Sequence, residues 1–123
     1  MLIRTKLVGV SFGNRQASIR NLPAGTLDRY ALGWRREPEN PYDKNSILVM
    51  AGPYSNVEIG HLNKEVAADV SPRIDAGVSM RIYLTGITGQ EKMSRGVNVL
   101  VELYDGVTDE VADGKTENVS PQN

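Results

Sequence analysis

The segment LIRTKLVGVSF, residues 2–12, decides the fold because it alternates like a strand and then bends. Ile3, Thr5 and Leu7 lie on one side of an extended chain, and an apolar stretch continues to residue 10. Gly9 inside that stretch predicts a bulge or a sharp bend, which strands need when they form a barrel. The first strand therefore indicates a curved sheet.

Five more strands are predicted along the chain, without regular β-α-β alternation. Small antiparallel sheets bury their edges by curling, so we expect a mostly β fold of about six strands: a closed or nearly closed barrel with a helix at one end. A flatter α+β sandwich is the alternative. The five segments are TLDRYALGWRRE (26–37), SILVM (46–50), VEIGHL (57–62), VSMRIYLTGIT (78–88) and GVNVLVELY (96–104).

One or two short helices interrupt the strands. Asn63 predicts the N-cap of a helix, because the apolar period lengthens after it. Ser71 and Pro72 have the pattern of a second cap, so we expect the helix to restart or kink there before Gly77 ends it. A shorter helical turn is expected in the polar stretch 13–22, with its apolar side chains facing inward.

The composition excludes several classes of protein. A chain of 123 residues with 40% hydrophobic and 24% charged residues fits one domain with its own core. It has no cysteine, which excludes disulfides and thiol catalysis, and a single histidine argues against a zinc site. No apolar run approaches the roughly 18 residues that span a bilayer, and the N-terminal segment lacks the apolar core of a signal peptide. We expect a cytoplasmic protein without metal or cofactor.

Charge is distributed unevenly along the chain. Residues 105–123 carry one basic and five acidic side chains, whereas residues 1–104 carry 13 basic and 10 acidic ones, a net charge of +3. We expect residues 1–104 to form the domain and residues 105–123 an acidic, disordered tail, because the tail has few large apolar residues to offset its ordering entropy. The tail either solubilises the chain, or competes with an anionic ligand or docks a partner.

Binding is a better prediction than catalysis. Nucleophilic catalysis needs a nucleophile with a positioned base, and no such pair is visible around the single histidine. The glycines form no nucleotide-binding fingerprint. Glu37 and Glu39 have the spacing of ordinary surface carboxylates, and a hydrolase would require a metal site that the sequence lacks. We therefore expect no enzyme.

Nucleic-acid binding needs cations for phosphates, aromatic rings for bases and a few fixed hydrogen-bonding groups. Candidates for all three occur in predicted loops. They are Phe12 and Arg15 after the first strand, Asn40, Tyr42, Asp43 and Lys44 around a proline, and His61 and Lys64 at a strand-to-helix junction.

The proline segment has two interpretations. Asn40, Pro41, Tyr42 and Asp43 fit a type I turn, in which Asn40 and Asp43 would cap the backbone and Lys44 would be solvated. Tyr42 favours a functional role, because a turn tip offers a phenol ring little core to pack on. Its ring could stack on a terminal base, a contact worth ~1–3 kcal/mol. Asp43 could accept a hydrogen bond from a sugar hydroxyl and would repel a terminal phosphate, which predicts preference for a free 3′-hydroxyl.

Other residues keep two interpretations as well. Phe12 lies at a strand end and either packs in the core or stacks on a base. His61 is either a structural hydrogen-bonding residue or a ligand contact. Arg35 and Arg36 form either a solvated edge or the lining of a groove. Three aromatic residues are assigned to core or strand-face packing: Tyr30, Trp34 and Tyr83.

Three segments in order resemble the signatures of the HIRAN domain: VGVSFGNRQ (8–16), REPENPYDKNSILV (36–49) and IGHLNKEVA (59–67). That family occurs in Swi/Snf-type DNA translocases that remodel stalled replication forks, and in bacterial and phage proteins. The resemblance spans roughly residues 5–104. It implies a modified OB-like β-barrel that captures single-stranded DNA at a free 3′-hydroxyl end.

The resemblance also implies roles for single residues. Asn40, Tyr42 and Asp43 match the positions that bind the terminal nucleotide, and Phe12 matches the aromatic at the end of the first strand. Translocase members have a basic residue and two adjacent aromatics there, whereas this chain has Ser11 and Gly13 around one ring. His61 and Lys64 match the family's basic positions at the helix entry. Together with Arg15 and Lys44, which are expected from their own charge, they are predicted to contact the DNA backbone.

The predicted function is therefore a non-catalytic module that binds single-stranded DNA in repair or replication-fork processing. Such a module only marks or presents an end, so a nuclease, helicase or other DNA-processing partner is expected. The alternative is a protein-interaction module on the same barrel, with an incidental basic surface. Tyr42 separates the two, because its loss would remove DNA binding but leave a protein interface elsewhere intact.

Overall fold

The computed structural model describes residues 1–23, 30–89 and 94–104, so the predicted acidic tail lies outside the described residues. The described chain contains six strands and two helices. In order they are β1 (Leu2–Lys6), α1 (Arg15–Arg20), β2 (Tyr30–Arg36), β3 (Ile47–Met50), β4 (Glu58–His61), α2 (Lys64–Asp75), β5 (Ser79–Thr88) and β6 (Gly96–Tyr104).

The six strands form one antiparallel, curled sheet in the order β1-β6-β5-β2-β3-β4. Strand β2 turns the corner of this sheet, because residues 30–32 pair with β5 and residues 33–36 pair with β3. Gly33 stands where the partner changes, and a Cβ there would overlap the carbonyl oxygen of Gly52. The corner therefore requires glycine.

The two edges of the sheet are joined just beyond β1. The N–H of Val8 donates to the carbonyl of His61 and the N–H of His61 donates to the carbonyl of Val8, each at 2.9 Å. One residue earlier, Leu7 still donates to Val97 of β6. Gly9 follows with φ +67°, so the predicted bend is confirmed directly after the bridge. These bonds close the curled sheet between β1 and β4.

The core lies inside the curled sheet and beneath both helices. Ile19 of α1 is fully buried and Leu22 nearly so, as predicted for the polar stretch 13–22. Together the elements confirm the predicted mostly β, barrel-like fold with two short helices. The side chains that are almost completely buried include Ile47, Val49, Ile59, Ala67, Val70, Ile82, Val97, Val99 and Val101.

Helix α2 begins and ends at the predicted residues. The Oδ1 atom of Asn63 accepts a hydrogen bond from the N–H of Val66 at 2.9 Å, which is a side-chain N-cap. At the other end Gly77 has φ +107°, and its N–H donates to Ile74 at 2.9 Å. Neither described helix is long and apolar enough to cross a membrane.

The predicted restart of this helix at Ser71 is wrong. The helix is continuous through Pro72. Instead of capping a new helix, the buried hydroxyl of Ser71 donates to the carbonyl of Asn45 at 2.6 Å. The local cap pattern therefore serves a tertiary contact, which fixes α2 to the chain before β3.

A substitution at Gly60 tests the bridge between Val8 and His61 that closes the sheet. A Cβ at this position would lie 2.9 Å from the carbonyl oxygen of Val8 and 3.3 Å from the Cβ of Leu7. We expect Gly60→Ala to push β4 away and to lower the free energy of unfolding by about 1–3 kcal/mol in urea denaturation. Gly86→Ala in β5 is the control, because its nearest atom would be 3.9 Å away. Equal losses in both variants would contradict the assignment.

Candidate functional site

The proline turn, residues 38–45, is held by its own side chains. The Oδ1 atom of Asn40 accepts hydrogen bonds from the N–H groups of Tyr42 at 2.8 Å and Asp43 at 3.2 Å. The Oδ1 atom of Asp43 accepts from the N–H of Asn45 at 2.9 Å. The predicted capping by the two side chains is confirmed. The turn therefore holds its shape without any contribution from the ring of Tyr42.

Two aromatic side chains singled out from the sequence are exposed. Tyr42 is 92% exposed and Phe12 is 73% exposed. Core packing is therefore the wrong interpretation of Phe12. Its ring lies 5.3 Å from the guanidinium carbon of Arg15, within the range of a cation–π contact. An exposed aromatic ring is available to stack on a base, so both rings are candidate contacts.

Arg36 fastens the proline turn to α2. Its Nε and Nη2 atoms donate to both oxygens of Asp75 at 3.1 and 3.0 Å. Its Nη1 atom donates to the carbonyls of Lys44 at 2.9 Å and Ser46 at 3.1 Å. The side chain is only 15% exposed, so the solvated-edge interpretation is wrong for Arg36. The hydrogen bond from Arg36 lowers the pKa of the Asp75 carboxyl.

Glu37 and His61 connect this turn to β4. The Oε1 atom of Glu37 accepts hydrogen bonds from the hydroxyl of Ser46 and from Nε2 of His61, both at 2.8 Å. The Nδ1 atom of His61 lies 3.5 Å from Nη1 of Arg15, which can only donate. One neutral tautomer, with the proton on Nε2, satisfies both neighbours.

The surroundings of Glu37 favour its charged form. Burial acts to raise its pKa, but hydrogen bonds from Ser46, His61 and Asn40 outweigh burial and hold the pKa below its ordinary value. The carboxylate is therefore ionised at neutral pH. A fixed negative charge in this position keeps the His61 proton on Nε2.

Arg15, the first residue of α1, holds the first-strand loop, residues 9–14, through its side chain. Its Nη1 atom donates to the carbonyl of Gly9 and its Nη2 atom to Glu58, both at 2.9 Å. The side chain is 8% exposed, and its Nε forms no hydrogen bond within the described part of the chain. Beside it lies a groove of about 380 Å³ between this loop and residues 56–58, here called the first-strand groove.

Gln16 fixes the same loop to the residue that precedes β6. Its Nε2 atom donates to the carbonyls of Val10 and Arg95, each at 3.0 Å. Its Oε1 atom accepts from the N–H of Arg95 at 2.7 Å. The loop that carries Phe12 is therefore braced on two sides, by Gln16 and by Arg15.

A chain of side-chain contacts links the proline turn to the first-strand loop. Hydrogen bonds run from Asn40 through Glu37 and His61 to Arg15, which lies beside Phe12. The prediction that Arg15 and His61 contact DNA stays a prediction, because their side-chain nitrogens also bind protein groups. The remaining two predicted contacts are the exposed cations Lys44 and Lys64. Their ammonium groups form no hydrogen bond within the described residues.

Sequence reasoning missed several contributors. Glu37 was expected on the surface, and its bond to His61 spans 24 positions, so no local pattern could predict it. Gln16 reaches Arg95 across 79 positions for the same reason. Tyr54, which is 99% exposed, could have been found, because it is an aromatic residue at a loop tip like Tyr42. In the described ranges, no three His, Cys, Asp or Glu side chains are grouped to hold a metal ion.

Comparisons with known proteins agree with this geometry. The model of the HIRAN domain family matches residues 2–104. The crystal structure of the HIRAN domain of human HLTF is 21% identical and has a TM-score of 0.54, covering 83% of this chain and 74% of that chain. A protein from Lactobacillus plantarum is 19% identical with a TM-score of 0.63, covering 84% and 96%. At these identities the structures show a shared fold. No curated protein matches significantly.

The lowered pKa of Glu37 predicts that its contribution to the free energy of unfolding depends on pH. Because its pKa is lowered in the folded protein, its stabilising effect is complete above its ordinary value of 4.5 and is lost as the pH falls below it. The difference in free energy of unfolding between the native protein and Glu37→Gln should therefore shrink on acidification. Urea denaturation at several pH values measures it. Glu39→Gln, an exposed neighbour, is the control, and a difference independent of pH for Glu37→Gln would contradict the assignment.

Proposed function

The chain belongs to the HIRAN domain family, whose domains are known as DNA-binding modules, and from this we propose that it captures free 3′-hydroxyl ends of single-stranded DNA. We further propose that it has no catalytic activity of its own. The observation that carries the proposal is the ring of Tyr42, 92% exposed on a turn that is rigid without it. A ring in that position is available to a base and is needed by nothing else in the turn.

In this proposal, two aromatic rings contact the 3′ end of the DNA strand. Tyr42 stacks on the terminal base, and Phe12 contacts the strand beside it. Stacking on an aromatic ring contributes about 1–3 kcal/mol per base and tolerates any sequence. Hydrogen bonds already fix both loops in the free protein, so DNA binding orders them little further and loses little conformational entropy.

Asp43 supplies the preference for a hydroxyl end. Its Oδ1 atom is occupied by the N–H of Asn45, and the hydrogen bonds of the described residues leave its Oδ2 atom available. A carboxylate oxygen accepts a hydrogen bond from a 3′-hydroxyl but repels a 3′-phosphate. Asp43 therefore discriminates between ends more than it adds affinity.

The basic residues divide into two roles. Lys44 and Lys64 are exposed and would contact internal phosphates, each contact adding about 0.7 to the salt slope for a single strand. Arg15 and His61 contact the backbone only where their protein partners leave a donor available, and their main contribution is to hold the two loops in position.

A module that only holds an end needs a partner to process it. We propose a nuclease, helicase or other DNA-processing protein as that partner, in repair or at replication forks.

Tyr42→Ala tests the stacking contact. We expect the variant to bind a 5′-labelled, 3′-hydroxyl oligonucleotide of about ten bases roughly 5- to 150-fold more weakly in fluorescence anisotropy. Its unfolding transition should not change, because the ring is 92% exposed. Leu2→Ala is the control, since Leu2 is 60% exposed and belongs to no predicted contact. Unchanged affinity in Tyr42→Ala would favour a protein-interaction module instead.

Asp43→Asn tests the choice of end. The amide oxygen can still accept from Asn45, so the turn is preserved, but the repelling charge is removed. We expect the native protein to bind a 3′-hydroxyl strand more tightly than a 3′-phosphate strand, and the variant to lose most of that difference. Anisotropy with the two otherwise identical oligonucleotides measures the ratio. Equal binding of both ends by the native protein would leave only a general single-strand binder.

A further inference from the structure

A second cleft lies where β2 separates from β5. Its volume is about 490 Å³, within the range of ligand sites. Pairing between the two strands stops at Leu32, and beyond it the indole N–H of Trp34 donates to the carbonyl of Met80 at 3.1 Å. Trp34 thus takes the place of a strand-to-strand hydrogen bond and lines the open space.

An exposed aromatic ring and a cation are among the side chains that line this cleft. Tyr54 lines it from the β3–β4 loop, residues 51–57, and is 99% exposed. Arg81 lines it from β5, with its guanidinium carbon 5.5 Å from the ring of Tyr104 and with Glu102 opposite it in β6. An exposed ring and a cation that line the same cleft are the combination with which proteins bind single-stranded nucleic acid.

The cleft and the first-strand groove share one wall. Residues 56 and 57 of the β3–β4 loop line the first-strand groove, and residues 53 and 54 of the same loop line the cleft. Phe12 lines the groove and Tyr54 lines the cleft, so this loop contributes to both. A strand that leaves Phe12 along this loop would reach the second ring.

We propose that the cleft is a second nucleotide site, in which a base on the 5′ side of the bound end stacks on Tyr54 and its phosphate contacts Arg81. This inference rests on the proposed function and extends it from the end of the strand to its interior. Because the two sites bind one covalent strand, the second contact is intramolecular and raises affinity only for strands long enough to reach it.

Trp34 provides a direct readout, since it is the only tryptophan of the chain and lines the cleft. We expect a 3′-hydroxyl strand of about ten nucleotides to change Trp34 fluorescence, and a strand of about three nucleotides to bind without that change. Tyr54→Ala should weaken binding of the long strand about 5- to 150-fold and leave the short strand unaffected. Leu2→Ala is the control, because Leu2 is exposed and lines neither the cleft nor the groove.

The outcomes separate this inference from the proposed function. If Tyr54→Ala binds both lengths like the native protein and Trp34 fluorescence is unchanged by the long strand, the second site is wrong, while end capture stands as long as Tyr42→Ala weakens both lengths. If the native protein binds neither length, end capture fails and the second site fails with it. Loss confined to the long strand supports the second site.

Discussion

His61 is the residue on which both the fold and the proposed site depend. Its backbone forms the two hydrogen bonds with Val8 that close the curled sheet. Its side chain bonds to Glu37 at the base of the proline turn and lies against Arg15 of α1, which bonds to Gly9 of the first-strand loop. The position of His61 therefore both closes the sheet and places the two loops. If β4 were displaced from Val8, the imidazole would move away from both loops.

This arrangement explains why exposed rings can be positioned accurately. Tyr42 and Phe12 have little core to fix them, so their placement depends on the backbones that carry them. Hydrogen bonds inside the proline turn and the brace of Gln16 on the first-strand loop provide that rigidity. Charged side chains that bond to the loops, above all Glu37, support them, whereas Lys44 and Lys64 stay exposed.

Sequence patterns correctly predicted the structural features that depend on neighbouring residues. Strand alternation, the cap at Asn63 and the Asn40 turn were all visible in the sequence, because each depends on residues within a few positions. The contacts that hold the loops were not visible, because the partners of Glu37 and Gln16 are distant in sequence. The cap pattern at Ser71 misled for the same reason, since a buried contact elsewhere in the chain determines what its hydroxyl does.

The most direct test of the account is NMR of the ¹⁵N-labelled protein titrated with a short 3′-hydroxyl oligonucleotide. If His61 holds two loops as one surface, amides of the first-strand loop and of the proline turn should shift together and give one dissociation constant. The His61 ring should keep its Nε2 proton throughout. Shifts confined to one loop, or located away from both, would contradict the account.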